Sequence, residues 1–160
     1  MQTVTAESRA ATSETQQYLA FQLGNETYGV PLLDVQEIRK YSTTTRVPNA
    51  PPYVLGVINL RGSIIAMLDL RLRLGLPPIE DDEQTIVVVV NVGGRTFGLR
   101  ADSVSDVISI ATDAIQDPPR LTSGDEHRFI HGLAQVNERA VILLELSAII
   151  DVDGAARSAA

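Results

Sequence analysis

The chain has 160 residues, 13 basic against 20 acidic side chains, a formal net charge of −7 and no cysteine. The lack of cysteine excludes a disulfide framework and a thiolate metal site. Nucleic acids and anionic membranes attract concentrated positive charge, so the acidic balance argues against both as direct partners. At this length the chain forms one domain, or two small subdomains that share a core.

The hydrophobic segments are too short to cross a membrane. Ile86–Val90, one of the most apolar runs, has the length of a strand. Residues 1–17 lack the basic start and the apolar centre of a signal peptide. These features predict a cytoplasmic protein without direct membrane insertion.

The first half of the chain alternates between strand-like and turn-like segments. Residues 1–16 are polar and predict a disordered tail, and residues 154–160 predict a frayed C-terminal tail. Between them, the strand-like segments of the first half are 18–23, 27–30, 35–41, 56–60 and 63–70. Arg61 and Gly62 occupy the tip of a hairpin, where Gly62 can supply a positive φ. A short helical turn is predicted over 69–74, ending at Gly75.

The second half repeats the first. When the two halves are aligned, Tyr28-Gly29-Val30 falls on Phe97-Gly98-Leu99, and Gly56 falls on Gly132. The repeat predicts an all-β protein with short helical turns, built from two copies of a five-stranded unit. Units this small close into barrels, because closure removes exposed strand edges. We expect a domain over 17–153, with a first barrel at about 17–76, an acidic join at 77–85 and a second barrel at about 86–153.

The two copies differ at the hairpin tip. Asn59-Leu60-Arg61-Gly62 in the first copy corresponds to Gln135-Val136-Asn137-Glu138 in the second. A barrel therefore does not need the arginine in order to fold. Two interpretations remain open: Arg61 is a solvated surface residue, or its guanidinium recognises a carboxylate or carbonyl of a partner.

The third predicted strand carries a second candidate surface. Glu37 and Arg39 lie two residues apart, so in a strand they share one face, while Ile38 points inward between them. By itself the pair indicates a solvated polar face, and a contact surface is the alternative.

No set of residues predicts catalysis. His127 and His131 have the i, i+4 spacing of helical zinc ligands, but the HExxH pattern and a third ligand are missing. The carboxylates at 80–83 lie in the join, without an apolar setting that would shift their pKa values. The sequence predicts a binding protein with no catalytic residues, no metal and no cofactor. An enzyme that uses the two histidines remains the weakest alternative.

The motifs resemble those of the CheW family over about residues 16–152. The resemblance rests on Tyr28-Gly29-Val30, the segment from Val35 to Arg39, Val104-Ser105-Asp106-Val107, and above all Gly56-Val57-Ile58-Asn59-Leu60-Arg61-Gly62 with the downstream Asp69-Leu70-Arg71. It implies two intertwined five-stranded SH3-like barrels. It also implies a non-catalytic adaptor that couples the cytoplasmic tips of chemoreceptors to the regulatory domain of the histidine kinase CheA, within arrays at the membrane.

The resemblance also assigns residues to partners. Arg61, with Asn59 and Gly62, falls on the receptor-binding surface, and Val35, Glu37 and Arg39 fall on a kinase or partner contact of the first barrel. The kinase contact of the second barrel falls near residues 116–121, where the match is poor. The alternative function is a self-associating assembly protein of a related signalling complex, which binding to a CheA regulatory domain would distinguish from an adaptor.

Overall fold

The computed structural model describes residues 14–118 and 128–151. Within these ranges the chain forms ten strands, two four-residue α-helices and two 3-10 turns. The strands are β1 Thr15–Leu23, β2 Glu26–Pro31, β3 Val35–Lys40, β4 Val54–Leu60, β5 Ser63–Asp69, β6 Ile86–Val92, β7 Arg95–Ala101, β8 Ser103–Ala111, β9 Ile130–Val136 and β10 Arg139–Leu144. The helices are α1 Leu70–Arg73 and α2 Leu146–Ile149, and the 3-10 turns are Leu32–Asp34 and Thr112–Ala114.

The predicted all-β class with short helical turns is confirmed. The repeat seen in the sequence matches β1 to β5 and α1 with β6 to β10 and α2. Strand β1 begins at Thr15, inside the segment predicted as a disordered tail. Residues 1–13 of that tail and the predicted tail at 154–160 lie outside the described residues.

The strands form two five-stranded SH3-like barrels, and each barrel takes strands from both halves of the chain. The first barrel has the strand order β3-β6-β7-β5-β4, and the second has β8-β1-β2-β10-β9. The chain therefore exchanges its hairpins: β6–β7 completes the first barrel and β1–β2 completes the second. The predicted division into barrels at 17–76 and 86–153 is wrong, because the repeat identifies equivalent hairpins but not the sheet that each one joins.

The exchange creates parallel pairing in the middle of each barrel. Strand β5 runs parallel to β7, with Met67 opposite Gly98, and β10 runs parallel to β2, with Leu143 opposite Gly29. A Cβ on Gly98 would lie 2.7 Å from Sδ of Met67, and one on Gly29 would lie 3.1 Å from Cδ2 of Leu143. The repeated glycines are thus explained by the close approach of the neighbouring strand.

The core has three parts, one inside each barrel and one between the barrels. Val87 and Val89 face the interior of the first barrel, whereas Val88 and Val90 face the core that the two barrels share. The uninterrupted apolar run in β6 follows from this arrangement, because both faces of the strand are buried. The shared core also holds Phe21 from β1, so each exchanged hairpin contributes to it.

A buried ion pair connects the two barrels. The guanidinium of Arg71 in α1 donates from Nε and Nη2 to Asp102, at 2.9 and 2.6 Å, and from Nη1 to the carbonyl of Pro77 at 2.9 Å. Asp102, in the link between β7 and β8, also accepts the N–H of Gly24 in the turn of the hairpin β1–β2 at 2.7 Å. Burial acts to raise the pKa of Asp102, but the hydrogen bonds from Arg71 and Gly24 and the charges of Arg71 and Arg100 together outweigh it and lower that pKa. The Asp-Leu-Arg motif therefore joins the barrels.

Two further buried arginines hold peripheral segments of the chain against the barrels through hydrogen bonds. Arg73 donates to the carbonyls of Ile149, Ala148 and Asp151 at 2.9, 3.1 and 3.2 Å, and so satisfies the end of α2. Arg100 donates to Asp81 from Nε at 2.8 Å and from Nη2 at 2.5 Å. The acidic join is thereby attached to the first barrel.

Candidate functional site

The tip of the hairpin β4–β5 has a backbone that most residues avoid. Arg61 has a φ of 52° and Gly62 a φ of 89°, and positive φ at both central residues is the pattern of a type I′ turn. The positive φ predicted for Gly62 is confirmed. The side-chain Oδ1 of Asn59 accepts the N–H of Gly62 at 2.9 Å. The side chain of Asn59 therefore closes the tip from within its own hairpin.

The side chain of Arg61 forms an ion pair with Glu37. Its Nη1 donates to Oε2 of Glu37, which lies on β3. This hydrogen bond lowers the pKa of Glu37 and raises that of Arg61. Arg61 remains 73% exposed, whereas Glu37 is 23% exposed. The structure thus brings together two residues that the sequence assigned to different partners, and leaves the guanidinium accessible.

The ion pair spans the seam of the first barrel, which is the line along which the two terminal strands of its sheet, β3 and β4, meet. Strands β3 and β4 stand at opposite ends of the strand order. Beyond β3 the chain forms a bridge between Thr45 and Val57 of β4, which closes the barrel. Arg61 lies at the end of β4, so its contact with Glu37 adds a side-chain link across the same seam.

The other residues predicted on β3 have different surroundings. Arg39 is exposed, and its charge makes a smaller contribution than the Arg61 hydrogen bond to lowering the pKa of Glu37. Val35 is half-buried and packs against the shared core. Ile38 is 41% exposed, so the prediction that it points inward is wrong. The pairing with β6 keeps one register over residues 37–40, and it places Ile38 on the face of the strand that points away from the interior of the first barrel.

The second barrel has a related ion pair that the sequence analysis missed. Arg139 donates from Nη2 to both carboxylate oxygens of Asp106, at 3.1 and 3.3 Å. The repeat places Glu37 on Asp106, but the arginine lies two positions later in its hairpin than Arg61 does. The acid could have been found from the repeat, whereas the arginine could not, because its position does not follow the repeat.

The tips of the two hairpins have the same backbone conformation but different residues. Asn137 and Glu138 have φ values of 52° and 68°, so the second tip has the same left-handed backbone as the first. Asparagine tolerates this region several-fold better than most residues, so Asn137 suits its position. Arg61 occupies the equivalent position at a conformational cost, and such a cost is commonly retained for function.

His131 does not lie on a helix, so the structure gives no support to the helical zinc-ligand interpretation of the histidine spacing. His131 lies in β9, and its Nδ1 is 3.2 Å from Oε1 of Glu145, while His127 lies outside the described residues. Among residues 14–118 and 128–151, no three side chains of His, Cys, Asp or Glu are grouped to hold a metal ion. No helix in those ranges is long and apolar enough to cross a bilayer.

Only part of the predicted second-barrel contact can be described. Gln116 exchanges two backbone hydrogen bonds of 2.8 Å with Leu133 of β9, in a bridge that corresponds to the seam of the first barrel. Residues 119–121 lie outside the described residues. The contact predicted over 116–121 therefore stays a prediction.

Comparisons with known proteins agree with the fold. The family model described as a CheW-like domain matches residues 17–153. The chain is 38% identical over 149 residues to the chemotaxis protein CheW of Klebsiella aerogenes, covering 89% of this chain and 90% of that protein. It is 35% identical to the probable chemotaxis protein CheW of Rhizobium etli, covering 82% of this chain and 84% of the relative.

A solved structure of a CheW protein is also similar to this chain in fold and sequence. The crystal structure of the scaffolding protein TtCheW from Thermoanaerobacter tengcongensis matches with a TM-score of 0.78 and 32% identity, over 87% of this chain and 90% of that one. The match of the family model over most of the chain, together with these relatives, establishes that the chain belongs to the CheW family.

Proposed function

We propose that the chain is a non-catalytic adaptor of chemosensory signalling, which couples the cytoplasmic tips of chemoreceptors to the regulatory domain of the histidine kinase CheA. The relatives are named as chemotaxis proteins, and the structural neighbour is titled a scaffolding protein. Receptors lie in the membrane, so the adaptor works in the cytoplasm and reaches the membrane array only through its partners.

The main support for the proposal is the exposed position of Arg61 in a backbone conformation that arginine does not favour. Its side chain is 73% exposed and its backbone has a φ of 52°, although the equivalent tip of the same chain uses an asparagine. Neither burial nor turn preference explains an arginine at this position. An exposed guanidinium with several donors unused suits recognition of carboxylate and carbonyl groups on a partner.

The proposed surfaces follow from this position. Arg61 and Gly62 at the tip, with the neighbouring Asn59, form the receptor side, and Val35, Glu37 and Arg39 on β3 form the kinase side. Because Glu37 bonds Arg61, the two sides meet at one ion pair. We expect the identity of residue 37 to influence receptor binding through the orientation of the arginine.

The test compares four proteins: wild type, Arg61→Ala, Arg61→Asn and, as the matched control, Arg139→Ala. Arg139→Ala also removes an arginine from an acid–arginine pair on a barrel surface. For each protein we would measure the melting temperature and the affinity for two probes. The probes are a soluble coiled-coil fragment of a chemoreceptor tip and an isolated CheA regulatory domain.

We expect Arg61→Ala to melt within about 2 °C of wild type, because an exposed side chain contributes little to stability. Its affinity for the receptor fragment should fall about 30-fold, the loss typical of a central interface residue. Arg61→Asn, which introduces the residue of the second tip, should melt at the same temperature or higher and bind equally poorly. Arg139→Ala should bind the receptor fragment as wild type does, and all four proteins should bind the kinase domain.

Three outcomes would contradict the proposal. An Arg61→Ala protein that melts early and loses both partners together would make Arg61 structural. Equal losses in Arg61→Ala and Arg139→Ala would show that the effect is not specific to the first tip. A wild-type protein that binds neither probe but assembles with itself would favour the alternative function.

A further inference from the structure

The position of Arg61 depends on a neighbour in its own hairpin. Residue 61 is at the first central position of a type I′ turn, where asparagine and glycine are preferred. The second hairpin meets this preference with Asn137, whereas the first places an arginine there. Something other than residue 61 itself must then support the turn.

Asn59 is the residue that supplies this support. Its Oδ1 accepts the N–H of Gly62 at 2.9 Å, which ties the strand before the tip to the second central residue. Gln135 occupies the equivalent position in the second hairpin, and no side-chain hydrogen bond from it to its own tip is present in the described part of the chain. The extra bond thus occurs in the hairpin whose first central residue is unfavourable, whereas the second hairpin has its unfavourable residue, Glu138, at the second central position.

We propose that Asn59 is a positioning residue, which holds Arg61 in the left-handed conformation from which its guanidinium reaches Glu37 and the partner. This inference rests on the proposed function and refines it, since Asn59 acts through the turn and not by touching the receptor. The physical reason is the direction of the Cα–Cβ bond of Arg61. If residue 61 leaves the left-handed region, that bond turns away from β3 and the ion pair with Glu37 is lost.

The test uses Asn59→Leu, which removes the accepting oxygen at similar volume, and Asn59→Asp, which keeps an accepting oxygen at the same reach. Gln135→Leu is the matched control in the second hairpin. The measurements are the melting temperature, hydrogen exchange of the Gly62 amide, the carboxyl titration of Glu37 by NMR, and affinity for the chemoreceptor-tip fragment. Titration and exchange need no partner, so they test the positioning role even if the proposed function fails.

We expect Asn59→Leu to melt within about 2 °C of wild type. Its Gly62 amide should exchange faster, the pKa of Glu37 should return toward the ordinary carboxyl range, and affinity for the receptor fragment should fall about tenfold. Asn59→Asp should keep the slow exchange at Gly62 and most of the affinity. Gln135→Leu should match wild type in every measurement.

Two results would overturn the inference. If Asn59→Leu leaves the exchange of Gly62 and the titration of Glu37 unchanged, Asn59 does not position the arginine. Any loss of receptor affinity would then mean that Asn59 touches the receptor directly. If Asn59→Leu changes exchange and titration but binds the receptor fragment as tightly as wild type, while Arg61→Ala binds it poorly, the conformation of the tip does not control binding. If Arg61→Ala itself binds as wild type does, the proposed function fails, whatever Asn59 does.

Discussion

Replacement of Asp102 by asparagine tests how the two barrels are held together. Asp102 accepts two hydrogen bonds from Arg71 and one from the amide of Gly24. The three donors come from α1 and from the turn of the exchanged hairpin β1–β2. The asparagine of the variant would keep one accepting oxygen, but its NH₂ group would face a donor, and the charge of Arg71 would lose its counterion.

The structure gives the size of the expected effect. The side chains of Arg71 and Asp102 are only 10% and 15% exposed, so the pair is a buried one. Removal of one member of such a pair costs about 3 kcal/mol or more, because the remaining charge stays buried without compensation. For a domain of this size each kcal/mol lowers the melting temperature by about 2–4 °C, so we expect a decrease of about 6–12 °C.

The effect should depend on pH in a defined direction. Because the folded protein lowers the pKa of Asp102, the unfolded chain binds more protons than the folded one as the pH falls through the carboxyl range. The stability contributed by Asp102 is therefore complete above about pH 5 and is lost as the pH falls through the lowered pKa. The difference in stability between wild type and Asp102→Asn should shrink on acidification.

The assay is urea unfolding of both proteins at several pH values, followed by circular dichroism. Asp106→Asn is the matched control, because it breaks the exposed pair with Arg139 and should cost less than about 1 kcal/mol. Equal and small losses for the two substitutions, or a difference that grows below about pH 5, would refute the assignment of Arg71 and Asp102 as the connection between the barrels.

Two glycines yield further predictions. Gly56 has a φ of 144°, and a Cβ there would lie 2.2 Å from the carbonyl oxygen of Thr45 at the barrel seam. Gly56→Ala should therefore destabilise the fold by about 3 kcal/mol or more, measured by thermal unfolding. Gly62 has a φ of 89° but no atom within 4 Å of a Cβ, so Gly62→Val should cost only the conformational strain, about 1–3 kcal/mol. A Gly62→Val protein as stable as wild type would contradict the turn assignment, and a Gly56→Ala protein less affected than Gly62→Val would contradict the close approach at the seam.

The sequence by itself determined the local elements of the protein. Alternating apolar residues and turn residues predicted the strands of the first half, and Gly62 predicted the left-handed tip. The internal repeat predicted two equivalent five-stranded units, and the motifs around Arg61 predicted the family. These features depend on residues that are close along the chain, where preferences for φ and for one face of a strand act directly.

Only the tertiary structure decided which hairpin belongs to which barrel. It also decided that Arg61 contacts Glu37, that Ile38 is exposed, and that Arg139 pairs with Asp106. The two hairpins have equivalent patterns, so either could complete either sheet by its local preferences. In the exchanged arrangement β1 and β6 each bury both faces, one in a barrel and one in the shared core, and that burial depends on contacts between residues far apart in the sequence.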